Sequence, residues 1–238
     1  VHKCAMWLKG KYEYPGGAHF TVGRYFYTMI LEPEKIDLFV VSKYRTRDSA
    51  GFKAEKEENS KVGLETVTAK ESEYVSRMVM EIMGRPLLQD IINASDKEIP
   101  YIDEINGVPV KCKVDMELTL SGELAEAINR FSGDDVWWEG AKLTGDLKST
   151  GKPVSEFRAS ARGYKYGRQA SMYKKISDAD GFFFIPSEKG FPFTPALYWA
   201  GPQFLKQGSD MMNRDLMFWK QLFMDGGYDR NYLYEQVL

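Results

Sequence analysis

Asp146 and Lys148 stand two residues apart in the run Ala141-Lys-Leu-Thr-Gly-Asp-Leu-Lys-Ser-Thr150. In an extended strand, side chains alternate with a period of two, so Thr144, Asp146 and Lys148 share one face. Leu143 and Leu147 share the other face and enter the core. A carboxylate beside an ammonium able to hold or deprotonate a water is the minimal equipment for metal-assisted phosphodiester hydrolysis. Among the 21 lysines, only Lys148 follows an Asp or Glu by two positions. A triplet of this kind arises about once by chance in a chain of this size, so its weight depends on its surroundings.

Residues 98–120 alternate: Val108, Val110, Cys112, Val114, Met116 and Leu118 lie on one face, and Lys111, Lys113, Asp115 and Glu117 on the other. This predicts a half-buried strand, entered through an Asn106-Gly107 turn from an earlier strand near Glu98–Ile102. If it neighbours the strand at 141–148, Asp115 and Asp146 meet at one edge of the sheet beside Lys148. The alternative for Asp115 is a pair with Lys111 or Lys113 on a solvated face.

Elsewhere, residues 20–31 read as an apolar helix ended by Glu32-Pro33. Residues 45–65 read as a polar, mobile loop. Thr68-Ala-Lys-Glu71 is a capping box opening a helix in which Tyr74, Met78 and Ile82 recur, until Gly84-Arg-Pro86 breaks it. A short helix at Glu123–Phe131 precedes a loop, Gly133–Trp138. Helical segments follow from Pro153 to about Ile176, then aromatic strands at Phe182–Ile185 and Pro195–Trp199. A long amphipathic helix covers about Pro202–Met224. The fold class is α/β: a single domain over 1–238, with a mixed central β-sheet flanked by helices.

Composition narrows the chemistry. With 43% hydrophobic and 28% charged residues, the chain is an ordinary globular protein rather than a membrane or disordered one. It has neither a membrane-length apolar run nor a charged-then-apolar leader, which gives the expectation of a cytoplasmic protein with no membrane partner. Its first residue is Val1 rather than an initiator Met, as a trimmed start with a missing N-terminal piece would give. Cys4 and Cys112 point to a reducing compartment and are too few for a cysteine-rich metal or Fe–S site. His2 and His19 are the only histidines, which argues against His-ligated zinc and Ser-His-Asp catalysis. A metal held by oxygen, Mg²⁺ or Mn²⁺, is what remains. The net charge of −2 gives no sign of nucleic-acid binding, but its distribution does. Between Lys142 and Lys175 stand nine bases and only two acids, Asp146 and Glu156. A local excess of positive charge beside a metal site suits a polyanionic substrate; the plainer reading is a solvated helix face.

Three segments in order, Gly107–Asp115, Gly145-Asp-Leu-Lys-Ser-Thr150 and Tyr164–Tyr173, resemble the PD-(D/E)XK nuclease superfamily. More narrowly they are similar to the RecE-type phage and prophage exonucleases, which share motifs with RecB nuclease domains and lambda exonuclease. Gln169 and Tyr173 match that branch's Gln-x-x-x-Tyr signature, one helical turn apart. Gly23–Lys35 resembles its opening motif, so the resemblance runs from about Gly23 to the last helix. It implies a restriction-endonuclease-like core and these roles. Asp115 and Asp146 would ligate the metal with the backbone carbonyl of Leu147. Glu98 would complete the metal shell or act through water. Lys148 would position or activate the attacking water, and Gln169 and Tyr173 would steady the scissile strand or the lysine. The candidate phosphate contacts are Arg24, Lys152, Arg158, Arg162, Lys165 and Arg168.

The chain departs from that pattern at two places. The opening motif usually carries a histidine where Tyr27 stands, which puts a second metal position in doubt. The spacing from Asp115 to Asp146 is long, suggesting an insertion near 121–138 whose Trp137 and Trp138 either stack on bases or pack. The resemblance implies a Mg²⁺- or Mn²⁺-dependent exonuclease acting 5′→3′ on duplex DNA ends to expose 3′ single strands for recombination. It also implies a homo-oligomeric ring, trimeric or tetrameric, and a single-strand annealing protein as partner. An endonuclease on the same core, or a DNA-binding protein that has lost catalysis, is the alternative.

Overall fold

The computed structural model describes residues 18–130 and 137–224. Its centre is a five-stranded sheet ordered β3-β4-β5-β6-β7, where β3 is Asp96–Ile105, β4 Val108–Thr119, β5 Lys142–Thr150, β6 Gly181–Glu188 and β7 Tyr198–Trp199. Only β5 and β6 run parallel; the other neighbours are antiparallel, so the sheet is mixed. The chain turns from β3 into β4 at Asn106-Gly107, both with positive φ, as a tight Asn-Gly hairpin requires.

Burial along β4 follows the alternation in the sequence: Val108, Val114, Met116 and Leu118 are buried, whereas Lys111 and Lys113 are exposed. One face of the sheet carries Leu143, Leu147, Phe183 and Ile185 into the main core. Helices α1 (Ala18–Leu31), α3 (Ala69–Met83), α4 (Pro86–Ala94) and α5 (Gly122–Asn129) cover it through Phe26, Met78, Ile92 and Ile128. The capping box that opens α3 is complete, with Thr68 and Glu71 each accepting from the other's backbone N–H. Gly145 has no alternative on this face, because a Cβ there would lie 2.2 Å from the Phe183 ring.

The opposite face presents Phe182 and Phe184 to α6 (Phe157–Gly163), α7 (Tyr166–Ile176) and α8 (Pro202–Phe223). Helix α7 is pressed onto α8 at two glycines. A Cβ on Gly208 would meet the Gly167 carbonyl oxygen at 2.0 Å, and one on Gly167 would meet Gly208 Cα at 3.2 Å. α8 in turn is tied to the β3–β4 hairpin by Asn106, whose amide donates to Asn213 at 2.9 Å.

Residues 45–65 are not a mobile loop. Ser49 caps a helix, α2 (Ala50–Lys61), by accepting from Phe52 N–H, and Phe52 is buried beneath the Arg47 guanidinium. A small parallel ladder of β1 (Phe39–Ser42) and β2 (Glu65–Thr68) flanks it. One apolar anchor in a charged stretch leaves little periodicity to read. Helix α4 was also not evident, because Pro86 acts as a helix-starting N1 residue as well as a breaker. In the 121–138 region, α5 buries Leu124 and Ile128, and Trp137 packs against Trp199 at 5.3 Å, so its ring is a core element rather than a base platform. Trp138 is exposed; residues 131–136 lie outside the described part, as do Cys4 and His2. No helix of the described residues is long and apolar enough to cross a membrane.

Candidate active site

The β4–β5 ladder runs from Thr119↔Lys142 to Met116↔Gly145 and stops there. The next register position would pair Asp115 with Asp146, and at this point the two strands part. At the fork one backbone group is taken up by a side chain: Leu147 N–H donates to Asp115 Oδ2 at 3.1 Å. The carboxylates therefore meet on one face in the interior of the sheet, not at an edge, because β6 and β7 extend the sheet beyond β5. Lys148 reaches the same point from β5, as the two-residue period requires.

Helix α7 lies across this face and closes the group. Gln169 Nε2 donates to Asp146 Oδ1 at 2.5 Å, and its Oε1 accepts from Lys148 Nζ at 3.1 Å. One amide thus fixes the carboxylate and the ammonium relative to each other. Lys148 Nζ also lies 2.5 Å from Asp146 Oδ2, yet out of line for a hydrogen bond. That fully buried oxygen is held by charge alone. Tyr173, one turn on, is half-buried near Gln169 and both carboxylates. Tyr166, one turn before, places its ring 4.8 Å from Lys148 Nζ.

Asp115, Asp146, Lys148 and Gln169 share a cleft of about 430 Å³ with Arg24, Tyr27, Glu32 and Glu98. Glu98 sits opposite Asp115 in the β3–β4 register, at the one interior position that makes no ladder pair, with a left-handed φ of 57°. Such a conformation costs about 1–3 kcal/mol for a non-glycine residue unless its surroundings impose it. Its carboxylate is engaged by Lys113, which also donates to Glu32 at 3.2 Å. Lys113 is therefore committed to Glu98 and Glu32 rather than to Asp115, and the solvated-face alternative for Asp115 does not hold. Tyr27 lies in the cleft, close to both carboxylates.

The electrostatics are those of two acids against one base in a buried space. Burial raises the Asp115 carboxyl well above the ordinary range, and repulsion from Asp146 adds to it; Lys148 and the Leu147 N–H oppose the shift. Burial likewise raises Asp146, against the pull of Lys148 and the Gln169 amide. For Lys148, burial favours the neutral amine, but Asp146 and Asp115 outweigh it and keep the ammonium charged. Burial first, then the two aspartates, raise the Tyr27 phenol, so it remains neutral and is a poor metal ligand.

This set can accept a hard divalent cation. Among the described residues no three His, Cys, Asp or Glu side chains group as a ready-made metal cage. Two carboxylates, one with a buried oxygen lacking a hydrogen bond, are nonetheless the donor set that Mg²⁺ takes when water and substrate phosphate supply the rest. A dication would also relieve the excess negative charge that raises both pKa values.

The predicted phosphate contacts are scattered. Arg24 lines the carboxylate cleft but is paired with Glu65 through two hydrogen bonds. Lys152 lies in an adjoining compartment, 3.9 Å from Glu156. Arg158 is exposed on α6, with its guanidinium 5.9 Å from the Tyr198 ring centre. Arg162 and Lys165 face a small cavity against α8, and Arg168 is engaged by Asp215 of α8. Only Arg24 and Lys152 thus border the space next to Lys148. Sequence reading missed Tyr166 and Lys113. Tyr166 was within reach, since it stands three residues before Gln169 and so shares its helix face. Lys113, two residues before Asp115, reads in the sequence only as a partner for that carboxylate.

The architecture is therefore that of a mixed α/β protein with its acidic site at a fork in the central sheet. The crystal structure of "Putative exonuclease" from Eubacterium rectale shares this fold, with a TM-score of 0.60 over 92% of this chain and 72% of that chain, at 14% identity. A second structure, SSO0001, aligns over 89% of this chain and 83% of its own at 11% identity, but its TM-score of 0.31 carries no weight. The chain matches no protein-family model and no curated protein.

Proposed function

We propose that the chain is a Mg²⁺- or Mn²⁺-dependent deoxyribonuclease of the exonuclease type. The observation that carries this reading is the meeting of Asp115, Asp146 and Lys148, held by Gln169, at the point where β4 and β5 part. A fold shared with a protein described as an exonuclease supports it.

Asp115, Asp146 and the carbonyl of Leu147 would hold the cation, with Glu98 reaching it through water. The ion would supply Lewis acidity toward the scissile phosphate and lower the pKa of a water. The charged Lys148 orients the attacking water and offsets charge building on the phosphate oxygens. Gln169 fixes the Lys148–Asp146 pair in one orientation by bonding to both. Tyr166 and Tyr173 exclude bulk water from this group, which strengthens each charge interaction inside it. Tyr27 stays a neutral phenol beside the carboxylates, which favours one cation over two. Attack on duplex ends in the 5′→3′ direction, a trimeric or tetrameric ring around the DNA and an annealing-protein partner complete the proposal, on the resemblance to RecE-type enzymes.

The test is incubation of linear and covalently closed duplex DNA with Mn²⁺, for the native chain and for Lys148→Ala. The expected result is degradation of the linear form only, reduced at least about 100-fold by the substitution while DNA binding remains. Cutting of closed circles would indicate an endonuclease, and equal degradation by Lys148→Ala would remove Lys148 from the reaction.

A further inference from the structure

Beyond Lys148 the carboxylate cleft continues into a second compartment of about 400 Å³, bordered by Lys148, Lys152, Ser160, Tyr164, Tyr166 and Lys189. Its chemistry differs from that of the first. No carboxylate lines it, whereas three ammonium groups do. Lys189 extends from the end of β6, where its N–H donates to Thr150 O at 2.8 Å. It is partly buried and makes no ion pair among the described residues. Burial lowers its pKa. An ammonium that is partly desolvated and lacks a counter-ion is suited to receive an anion.

The lining also includes aromatic rings. Tyr164 stacks on Tyr166 with ring centres 5.6 Å apart and planes at 28°, and Tyr166 in turn lies against the Lys148 ammonium. The stack ends in the open: Tyr164 is 67% exposed. An exposed ring backed by a second ring, in one compartment with an unpaired cation, matches the two parts of a nucleotide: a π-face to stack and a phosphate to neutralise. The volume falls in the range that takes one group of that size.

We propose that this compartment is a nucleotide subsite, in which Tyr164 stacks on the base adjoining the cleaved bond and Lys189, with Lys152, holds that nucleotide's phosphate. The assignment rests on the nuclease reading, since Lys148 is the group shared by the two compartments. It gives the reaction a register: one nucleotide is seated past Lys148 while the neighbouring phosphate lies over Asp115 and Asp146.

The test uses the full chain in EDTA with duplex oligonucleotides carrying 2-aminopurine at successive positions from one end. The expected result is quenching at a single position, retained in Tyr164→Phe and lost in Tyr164→Ala, with affinity falling about 5- to 100-fold in the latter. Lys189→Gln keeps the quench but makes the dependence of log affinity on log salt shallower by about 0.7–0.9, and Lys189→Arg restores it. Unchanged quenching, affinity and salt slope in both Tyr164→Ala and Lys189→Gln would overturn the subsite. The two proposals fail separately. Cleavage by the native chain with Mn²⁺ but no position-specific quench removes the subsite alone. A quench at one position without any cleavage keeps the subsite and removes the nuclease.

Discussion

Replacing Asp115 with asparagine tests the charge balance of the site, because the account requires opposite effects with and without metal. In the native chain two buried carboxylates face one ammonium, and both carboxyls are raised by burial, Asp115 also by repulsion from Asp146. A carboxyl whose folded pKa exceeds its unfolded value stabilises the fold in acid. That contribution is lost as pH climbs from about 3.9, the unfolded value, through the raised folded value. Asparagine can still accept from Leu147 N–H, keeps the volume, and leaves Asp146 and Lys148 paired one to one. Without metal, Asp115→Asn therefore melts no lower than the native chain at neutral pH, and its stability falls less between mild acid and neutrality. With metal the order reverses. Cation at 100 times its Kd stabilises the native fold by about 2.7 kcal/mol. At roughly 2–4 °C per kcal/mol for a chain of this length, that is an upward shift of about 5–11 °C, absent in the variant. Thermal melts in EDTA and in Mn²⁺ at two pH values measure all of this. An equal Mn²⁺ shift in Asp115→Asn, or a fall of several degrees in EDTA, would refute the reasoning.

Other substitutions probe the parts separately. Gln169→Ala removes the amide that bridges Asp146 and Lys148, and cleavage is expected to fall about 10- to 100-fold with DNA affinity nearly unchanged; a normal rate would show that the bridge is packing only. Lys152→Gln is expected to flatten the salt dependence of DNA binding by about one contact, whereas Arg168→Gln, already engaged by Asp215, changes it little. A native slope in Lys152→Gln would mean that it does not border the bound strand, and a flattened slope in Arg168→Gln would mean that Arg168 does. Gly208→Ala places a Cβ 2.0 Å from the Gly167 carbonyl oxygen and is expected to destabilise the fold by about 1–3 kcal/mol, read from urea midpoints. An unchanged midpoint would mean that α7 can move away from α8 freely.

Much of this architecture was legible in the chain because it rests on strong periodicity. The alternation along 108–118 placed Asp115 opposite the core, and the spacing of Asp146 and Lys148 placed them together; both follow from the pleat alone. The Thr68–Glu71 capping box and the Asn106-Gly107 turn have local chemistry and formed as read. What escaped was set by tertiary context. Phe52 is one buried residue in a polar helix, so α2 resembled a loop. The parting of β4 and β5 after Met116↔Gly145 has no sequence mark, nor does the extension of the sheet by β6 and β7 that puts the carboxylates inside it rather than at its edge. Positive charge over 142–175 read as one basic surface. The helices instead divide it, sending Arg168 to Asp215 and Arg162 toward α8 while Lys152 stays beside the cleft. Lys189, from the far end of β6, joins Lys152 only through the fold.

The central claim is that Asp115 and Asp146 hold a divalent cation together with Lys148 as its neighbour. Crystals soaked in Mn²⁺ and measured at the manganese absorption edge test it most directly. The account predicts an anomalous peak within about 2.0–2.6 Å of oxygens from both aspartates, with Lys148 still bonded to Gln169. A crystal showing manganese bound elsewhere, or Asp146 remaining against Lys148 with no ion beside it at saturating Mn²⁺, would contradict it.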